Sequence, residues 1–179
     1  MIIKLLAVLL TMSSYRDNIE FVKRTKQLVK SYQGDYEASL LINMSIGLLF
    51  VAKEKYGFAL GRIKNTDVLN QWGIDPGCIK CCKHFNRKKN IVEDEPKTLN
   101  SICRHIRNSL AHCNFEVVND NERRIIVAYR LFDWCFIDRD NNNPVKTFEY
   151  EISVKSLHRF LNAVSDYIIK KHKLNNTKN

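Results

Sequence analysis

The sequence predicts a mainly α-helical fold, in which four main helices form a bundle and a small β insertion lies between the third and fourth helices. Several segments repeat apolar residues at helical spacing, whereas one region after residue 115 alternates apolar and polar residues with period two. No internal repeat, long linker or composition shift marks a second domain, and 179 residues are about the length of one domain. We therefore expect a single domain over residues 14–174.

The first two helices are predicted by their apolar periodicity and by the break between them. From Ser14 to about Tyr32, apolar residues recur at near-helical spacing opposite a basic face. The segment Gln33-Gly34-Asp35 breaks this helix, and residues 36–53 then form a nearly all-apolar run. A helix that is apolar on all sides must lie at the centre of the fold or be covered by a partner.

The middle of the chain is predicted to contain one short helix and two longer ones. Residues 56–77 are rich in glycine and are predicted to be mostly loop, with a short helix near residues 67–72. Residues 78–89 are predicted to form a helix, and the acidic residues 93–95 before Pro96 are predicted to open the third main helix. That helix ends near His112, with Asn114 as a left-handed cap.

After His112 the apolar period becomes two. Strands at residues 115–117 and 125–131, joined by a turn at 119–121, are predicted to form a hairpin with a basic tip. A third strand is expected at residues 147–152, after a turn at 140–144. Ser153 then caps the last helix, which has a continuous apolar stripe.

The two ends of the chain are expected to lie outside the domain. Residues 1–13 form an apolar extension and residues 175–179 a polar tail. The apolar run at residues 2–10 resembles a weak signal-peptide core, but nine residues cannot span about 30 Å of hydrocarbon and no Ala-x-Ala site follows. We interpret the extension as a packed terminal segment or a misassigned start, because Met12 directly precedes a helix signature, and we expect no stable membrane insertion.

Composition favours a folded domain with an anionic partner. The chain is 45% hydrophobic and 27% charged, which excludes the disordered and collagen-like classes. Its net charge of +10 attracts RNA, DNA or an acidic membrane, and charge alone does not choose among them. The six cysteines are interpreted as reduced thiols of a cytoplasmic protein. Three of them crowd near His84, but the second ligand pair of a closed zinc site is missing, so no metal or cofactor is expected.

The densest cluster of reactive side chains runs from residue 104 to residue 112. At 100° per residue, His105, Asn108 and His112 lie within about 60° of one another on one polar stripe. Arg104 and Arg107 border this stripe. Arg107 and His112 are about 140° apart, so they converge only if the helix ends near His112 or if a second chain contributes. From spacing alone, the alternative of structural histidines and a solvated arginine face stays open.

Residues 107–112, R-N-S-L-A-H, resemble the R-N-x-x-A-H form of the Arg-x4-His motif of the HEPN superfamily. The resemblance implies a HEPN-like four-helix up-and-down bundle and a metal-independent RNase site that a second protomer completes. It assigns Arg107 and His112 as catalytic residues and Asn108 as the polar residue beside the arginine. Arg104 and His105, from their places on and beside the polar stripe, are candidates for supporting positions. Further segments resemble the order found in a bacterial plasmid- and defence-associated HEPN subfamily: residues 21–25, 36–43 with 47–49, 72–74 and 148–169.

The resemblance implies a homodimeric endoribonuclease of the toxin or anti-phage type, with RNA as substrate and an antitoxin or regulatory protein as a further candidate partner. His112 would move protons and Arg107 would bind the charged phosphate, leaving a 2′,3′-cyclic phosphate. The alternatives are a non-catalytic HEPN dimer that binds RNA, a nucleotide or a protein, and a membrane-surface protein. Basic residues form a candidate track for the RNA backbone, although charge runs are usually solvated faces: Lys83, Arg87, Lys88, Lys89, Arg123 and Arg124.

Overall fold

The computed structural model describes residues 15–32, 37–120, 122, 125–136 and 144–176. Within these ranges it contains five α-helices, a short 3-10 turn and a five-stranded antiparallel sheet. In chain order the elements are α1 (Tyr15–Ser31), α2 (Glu37–Gly61), α3 (Thr66–Gln71), the 3-10 turn (Pro76–Cys78), β1 (Ile79–Asn86), β2 (Ile91–Asp94), α4 (Leu99–Ala111), β3 (Phe115–Asp120), β4 (Ile125–Phe136), β5 (Pro144–Ser153) and α5 (Val154–Asn176).

The fold is α+β, so the prediction of a mainly α four-helix bundle with a small β insertion is wrong. The sheet has the order β2-β1-β5-β4-β3, and each neighbouring pair is antiparallel. The predicted hairpin and third strand form β3, β4 and β5. They are extended on the other side of β5 by two strands that come from earlier in the chain. The sheet is therefore a principal layer of the fold rather than an insertion.

Residues 78–95 account for this difference. The helix predicted over residues 78–89 is instead β1 and the turn into β2, with Cys82 paired opposite Phe148 of β5. The acidic residues do not open a helix, because β2 ends at Asp94 and α4 begins after Thr98, whose Oγ1 accepts the Ser101 N–H at 3.1 Å. Cysteine, phenylalanine and isoleucine are weak helix formers, and pairing with a distant strand decides the conformation of such segments.

The remaining helices lie near their predicted positions. The apolar helix α2 extends to Gly61. It lies at the centre of the fold, which is one of the two expected arrangements, because Leu41, Leu48 and Leu49 belong to the buried core. Helix α4 lies between α2 and β4 and contacts both. Among the described residues, no helix has both the length and the apolar character needed to cross a bilayer.

The motif helix ends in a sharp turn. Its left-handed residue is Cys113, with φ of 55°, and not Asn114 as predicted. Asn114 instead donates its N–H to Ser109 O at 2.7 Å and accepts the Phe132 N–H at 2.9 Å. These two bonds satisfy a carbonyl at the helix end and tie the turn to β4. The end of α4 is thereby held against the strand that forms the other side of the candidate site.

Candidate active site

Helix α4 separates its apolar and polar residues cleanly. Its core-facing stripe, which includes Leu99, Ile102 and Ile106, is buried between α2 and the sheet. The polar stripe ends at His112, the C-cap residue, whose N–H donates to Asn108 O at 3.0 Å and whose side chain is exposed. The helix ends here because Cys113 takes a left-handed conformation and directs the chain into β3.

A cleft of about 510 Å³ opens between the end of α4 and the sheet. Asn108 and His112 both line it, so the structure brings together two of the three residues predicted to be catalytic. The other lining residues come from the turn after α4 and from β4 and β5: Asn114, Asp133, Trp134, Phe136 and Pro144. The sequence analysis identified the helix side of this cleft and missed the sheet side.

Asp133 connects the cleft to the core. It is 6% exposed, and its Oδ2 accepts a hydrogen bond from Asn108 Nδ2 at 2.9 Å and lies 2.8 Å from His105 Nδ1. Its Oδ1 accepts the Trp134 N–H at 3.0 Å. The β4–β5 register shifts between Asp133 and Trp134, and such a bulge allows neighbouring side chains to reach the same region. Asp133 therefore fixes the orientation of the Asn108 amide.

His105 is a buried part of this network and not a free acid or base. It is 2% exposed, its Nε2 lies 2.7 Å from Glu95 Oε1, and its ring stacks on Phe148 with 4.8 Å between ring centroids. Burial alone would lower the pKa of His105, but its hydrogen bonds, above all to Asp133, outweigh burial and raise the pKa to about 10. At neutral pH His105 is therefore a cation held between two carboxylates.

Arg104 completes the buried network. Its Nη2 contacts Glu95 Oε1 and lies 3.0 Å from His105 Nε2. Two cations thus face the two carboxylates of Glu95 and Asp133. Pairing of this kind is what makes buried charge tolerable. We interpret the supporting positions of Arg104 and His105 as structural, since the network joins α4 to β4 and to the segment before α4.

Arg107 does not join the cleft within one chain. It lines neither the large cleft nor its smaller neighbour, and its partly buried side chain leaves Nε without a hydrogen-bond partner among the described residues. The helix does end near His112, but this ending does not bring Arg107 to the cleft. The spacing of Arg107 and His112 allowed two ways to bring them together, a helix that ends near His112 or a contribution from a second chain. The second possibility remains.

A smaller cleft of about 250 Å³ adjoins the first. Asn108, Asp133 and Trp134 line both clefts, so the two form one continuous surface. Arg104 and Lys83 bring positive charge to the smaller cleft, and Lys83 lies 4.0 Å from Asp94. Among the members of the predicted basic track that the structure describes, Lys83 is the one that lines the candidate site.

The rest of the predicted track is more dispersed. Arg87, Lys88 and Lys89 are exposed in the turn between β1 and β2, and Lys89 is paired with Glu93 at 3.0 Å. The backbone N–H groups of Lys88 and Lys89 donate to Asn86 Oδ1, which fixes the turn. Arg123 and Arg124 lie outside the described residues.

The described residues bring one metal-capable group together, and it is not the one considered from the sequence. Ligand atoms of Cys82, Glu95 and His105 lie within 4.8 Å of one another. The Arg104 guanidinium already contacts the Glu95 oxygen, and a protonated imidazole has no lone pair to offer a metal. Cys78 is exposed, whereas Cys82 is buried, and Cys78 does not belong to this group. The hydrogen-bond network explains this group without a metal.

The residues missed by sequence reasoning carry a recognisable signal. Asp133 occupies an inward position of β4, two residues after the buried Leu131, where alternation predicts an apolar side chain. A buried carboxylate in such a position needs donors, and two polar residues of α4 supply them. The exposed aromatic residues Trp134 and Phe136 that follow break the alternation as well.

Comparison with known proteins identifies one family. The family described as HEPN pEK499 p136 matches residues 12–175, which is most of the chain. This match confirms the resemblance to a plasmid-associated HEPN family that the R-N-x-x-A-H motif and the further segments together suggested. No curated protein and no solved structure matches the chain.

Proposed function

The chain belongs to the HEPN pEK499 p136 family, and on that premise we propose that it is a metal-independent endoribonuclease that acts as a homodimer. Membership of this superfamily suggests a nuclease or nucleotide-related function, and HEPN domains often bind RNA and form dimers. The proposed reaction is cleavage of RNA by its own 2′-hydroxyl, in a toxin or anti-phage defence setting.

The observation that carries the proposal is the cleft shared by Asn108 and His112. Imidazole is the side chain that most often exchanges protons in catalysis, and His112 presents it in the open at the end of α4. Asn108 lies one helical turn away, with its Nδ2 held by Asp133 at 2.9 Å. The cleft thus pairs an accessible proton carrier with an oriented amide.

In the proposed reaction His112 takes the proton of the ribose 2′-hydroxyl. The 2′-oxygen forms a bond to phosphorus, the bond from phosphorus to the 5′-oxygen breaks, and the partner subunit's His112 gives a proton to the leaving oxygen. The products are a 2′,3′-cyclic phosphate and a 5′-hydroxyl. The nucleophile is tethered to its phosphorus, so no metal-bound water is required.

Arg107 would stabilise the charge that grows on the non-bridging phosphate oxygens. A guanidinium binds two such oxygens at once, which an ammonium cannot do. Since Arg107 lines neither cleft of its own chain, the site needs a second copy to supply it, as a symmetric dimer does. The Nε of Arg107 is buried, so the contact with the phosphate would fall to the two terminal nitrogens of the guanidinium.

The cellular setting is part of the same proposal. All six cysteines are free in the structure, which supports a reducing compartment such as the cytoplasm. An RNase that acts there needs restraint, and an antitoxin or regulatory protein would provide it. Expression of the wild-type chain should therefore slow growth, whereas expression of His112→Ala should not.

The substrate side of the mechanism is tested with one labelled RNA in EDTA. We expect cleavage that leaves a 2′,3′-cyclic phosphate, visible by mass spectrometry of the products. The same oligonucleotide with a single 2′-deoxy sugar at the cleaved position should survive at that position, and DNA should survive entirely. Cleavage of DNA, a requirement for Mg²⁺ or cleavage that leaves a free 3′-hydroxyl and a 5′-phosphate would each contradict the mechanism.

A second function is favoured by one observation. Because Arg107 lies apart from His112 within one chain, the fold is also compatible with a non-catalytic dimer that binds RNA, a nucleotide or a protein. Such a dimer would bind RNA in EDTA and leave it intact. Both proposed functions assume a homodimer, so the mass of the protein at micromolar concentration tests both. A strict monomer would contradict either one.

A further inference from the structure

We propose that Trp134 and Phe136 form a stacking subsite for an unpaired nucleobase beside His112, which makes single-stranded RNA the substrate class. The inference rests on the proposed function in that it places this base at the site of cleavage. The two rings lie on the sheet side of the cleft, to which the Arg-x4-His motif contributes no residue.

The two aromatic side chains are placed on the open side of the cleft and not in the core. Trp134 is 38% exposed and Phe136 is 55% exposed, and both line the same cleft as Asn108 and His112. They are two residues apart in β4, in a stretch where the pairing with β5 is regular, so they lie on one face of the strand. Two neighbouring exposed rings form a surface on which a planar ligand can stack.

The groups around the rings match the parts of a nucleotide. The amides of Asn108 and Asn114 offer donors and acceptors to a base edge within the cleft. Lys146 Nζ lies 5.4 Å from the centroid of the Trp134 ring and is paired with Glu149 at 2.7 Å. Lys83 and Arg104 line the adjoining cleft, where Arg104 contacts Glu95. Of these three cations Lys83 has the longest ion pair, 4.0 Å from Asp94, so Lys83 is the one best placed to contact a phosphate of the same strand, in agreement with the net charge of +10.

The geometry selects a single strand. In a duplex both faces of a base are covered by its neighbours, so a protein ring can stack only on an unpaired base. Stacking on Trp134 or Phe136 holds a base in the cleft lined by His112, and the ribose attached to that base then lies within the same cleft. Base stacking is tolerant of sequence, so we expect a preference for unpaired RNA and little preference for particular bases.

The binding test uses tryptophan fluorescence. The chain has two tryptophans, and Trp72, which packs on Tyr167 with 5.7 Å between ring centroids, lines neither cleft. In a Trp72→Phe background, Trp134 becomes the only tryptophan. We expect a fully 2′-O-methylated single-stranded RNA, which cannot be cleaved by its own 2′-oxygen, to quench this fluorescence. The same strand annealed to its complement should quench much less.

The affinity test compares variants of the two rings with a matched control. Trp134→Ala in the otherwise unchanged protein should weaken binding of the methylated strand roughly 5- to 150-fold, which corresponds to about 1–3 kcal/mol per stacked base. Trp134→Phe should retain most of the affinity. Val127→Ala is the control, because Val127 lies on the same strand, is 37% exposed and lines neither cleft.

The outcomes separate this inference from the nuclease proposal. Equal quenching by duplex and single strand, or unchanged affinity in Trp134→Ala, would overturn the stacking subsite even if unmodified RNA is cleaved. A change in the mass of the oligomer without a change in RNA affinity would also overturn it, because the rings would then contact protein. Binding through Trp134 without cleavage of unmodified RNA would support the subsite and contradict the nuclease.

Discussion

His105 and His112 lie seven residues apart on the same stripe of α4, and the structure uses them in opposite ways. His105 is buried beneath β4, is bound at both ring nitrogens and is held as a cation. His112 is exposed at the end of the helix, in a cleft. The comparison teaches that helical spacing identifies a polar stripe, whereas the element packed against each residue decides which histidine supports the fold and which is available for chemistry.

Removal of the buried histidine gives the largest expected effect on stability. His105→Ala removes the cation between the carboxylates of Asp133 and Glu95, which keep Asn108 and Arg104 as side-chain partners. Breaking a buried ion pair in this way costs about 3–5 kcal/mol. His112→Ala should change stability by no more than about 0.5 kcal/mol, as is usual for exposed residues. Urea unfolding of the two variants measures the difference. Equal losses of stability would contradict the division of roles.

The connection between the two regions is Asp133. In Asp133→Asn the side chain keeps its shape, but one of its two acceptor oxygens becomes an NH2 donor. The variant therefore loses either the oxygen that Asn108 and His105 share or the oxygen that accepts the Trp134 N–H. We expect the Asn108 amide to lose its fixed orientation, and we expect kcat for RNA cleavage to fall by up to about 100-fold while KM changes little. Unchanged kcat in a folded Asp133→Asn variant would show that this connection has no part in the reaction.

The protonation of His105 should make the free energy of unfolding depend on pH. Its pKa is about 10 in the folded protein and about 6.5 in the unfolded chain, so the stabilisation is complete below pH 6.5. Between pH 6.5 and about 10 the folded state holds the extra proton, and stability falls by up to about 1.4 kcal/mol per pH unit.

Unfolding free energies of wild type and His105→Gln, measured from pH 6 to pH 9.5, isolate this term. The difference between the two proteins should be largest at the lowest pH and should shrink as the pH rises. A difference that stays constant across the range would contradict a protonated His105.

The smallest expected effect concerns the exposed basic turn. Neutralising Arg87, Lys88 and Lys89 together should flatten the dependence of RNA affinity on salt, by at most about 0.7 in the logarithmic slope for each RNA phosphate that these side chains neutralise. A triple neutralisation of residues 170, 171 and 173 on α5 is the matched control. Identical slopes for wild type and the turn variant would remove this turn from the RNA-binding surface.

The elements of the fold could be predicted from the sequence where the local apolar pattern agrees with the packing. The apolar stripes of α4 and α5 and the period-two region of β3 to β5 were predicted because one face of each is buried. The prediction over residues 78–95 is wrong because pairing with a distant strand, and not the local pattern, decides the conformation there. The β1 strand is defined by pairing with β5, about 65 residues later in the chain, and no local signal reports that partner.

The candidate site likewise has one part that the sequence predicts and one part that it does not. Asn108 and His112 follow from a six-residue motif on one helix, whereas Asp133 and Trp134 reach the cleft through a register shift between two strands. A β-bulge has no reliable sequence signature, although a carboxylate at an inward position of a strand is consistent with a bulge. Arg107 differs from both, since it lines neither cleft of its own chain and its proposed contribution depends on a second chain.

The most direct test of the central claim is the rate of RNA cleavage by His112→Ala in EDTA, with folding and oligomeric mass matched to wild type. His158→Ala, which removes a partly buried histidine of α5 that lines neither cleft, is the control. We predict a loss of about 100-fold or more for His112→Ala and a wild-type rate for His158→Ala. Cleavage by His112→Ala at the wild-type rate would contradict the assignment of His112 as the proton carrier.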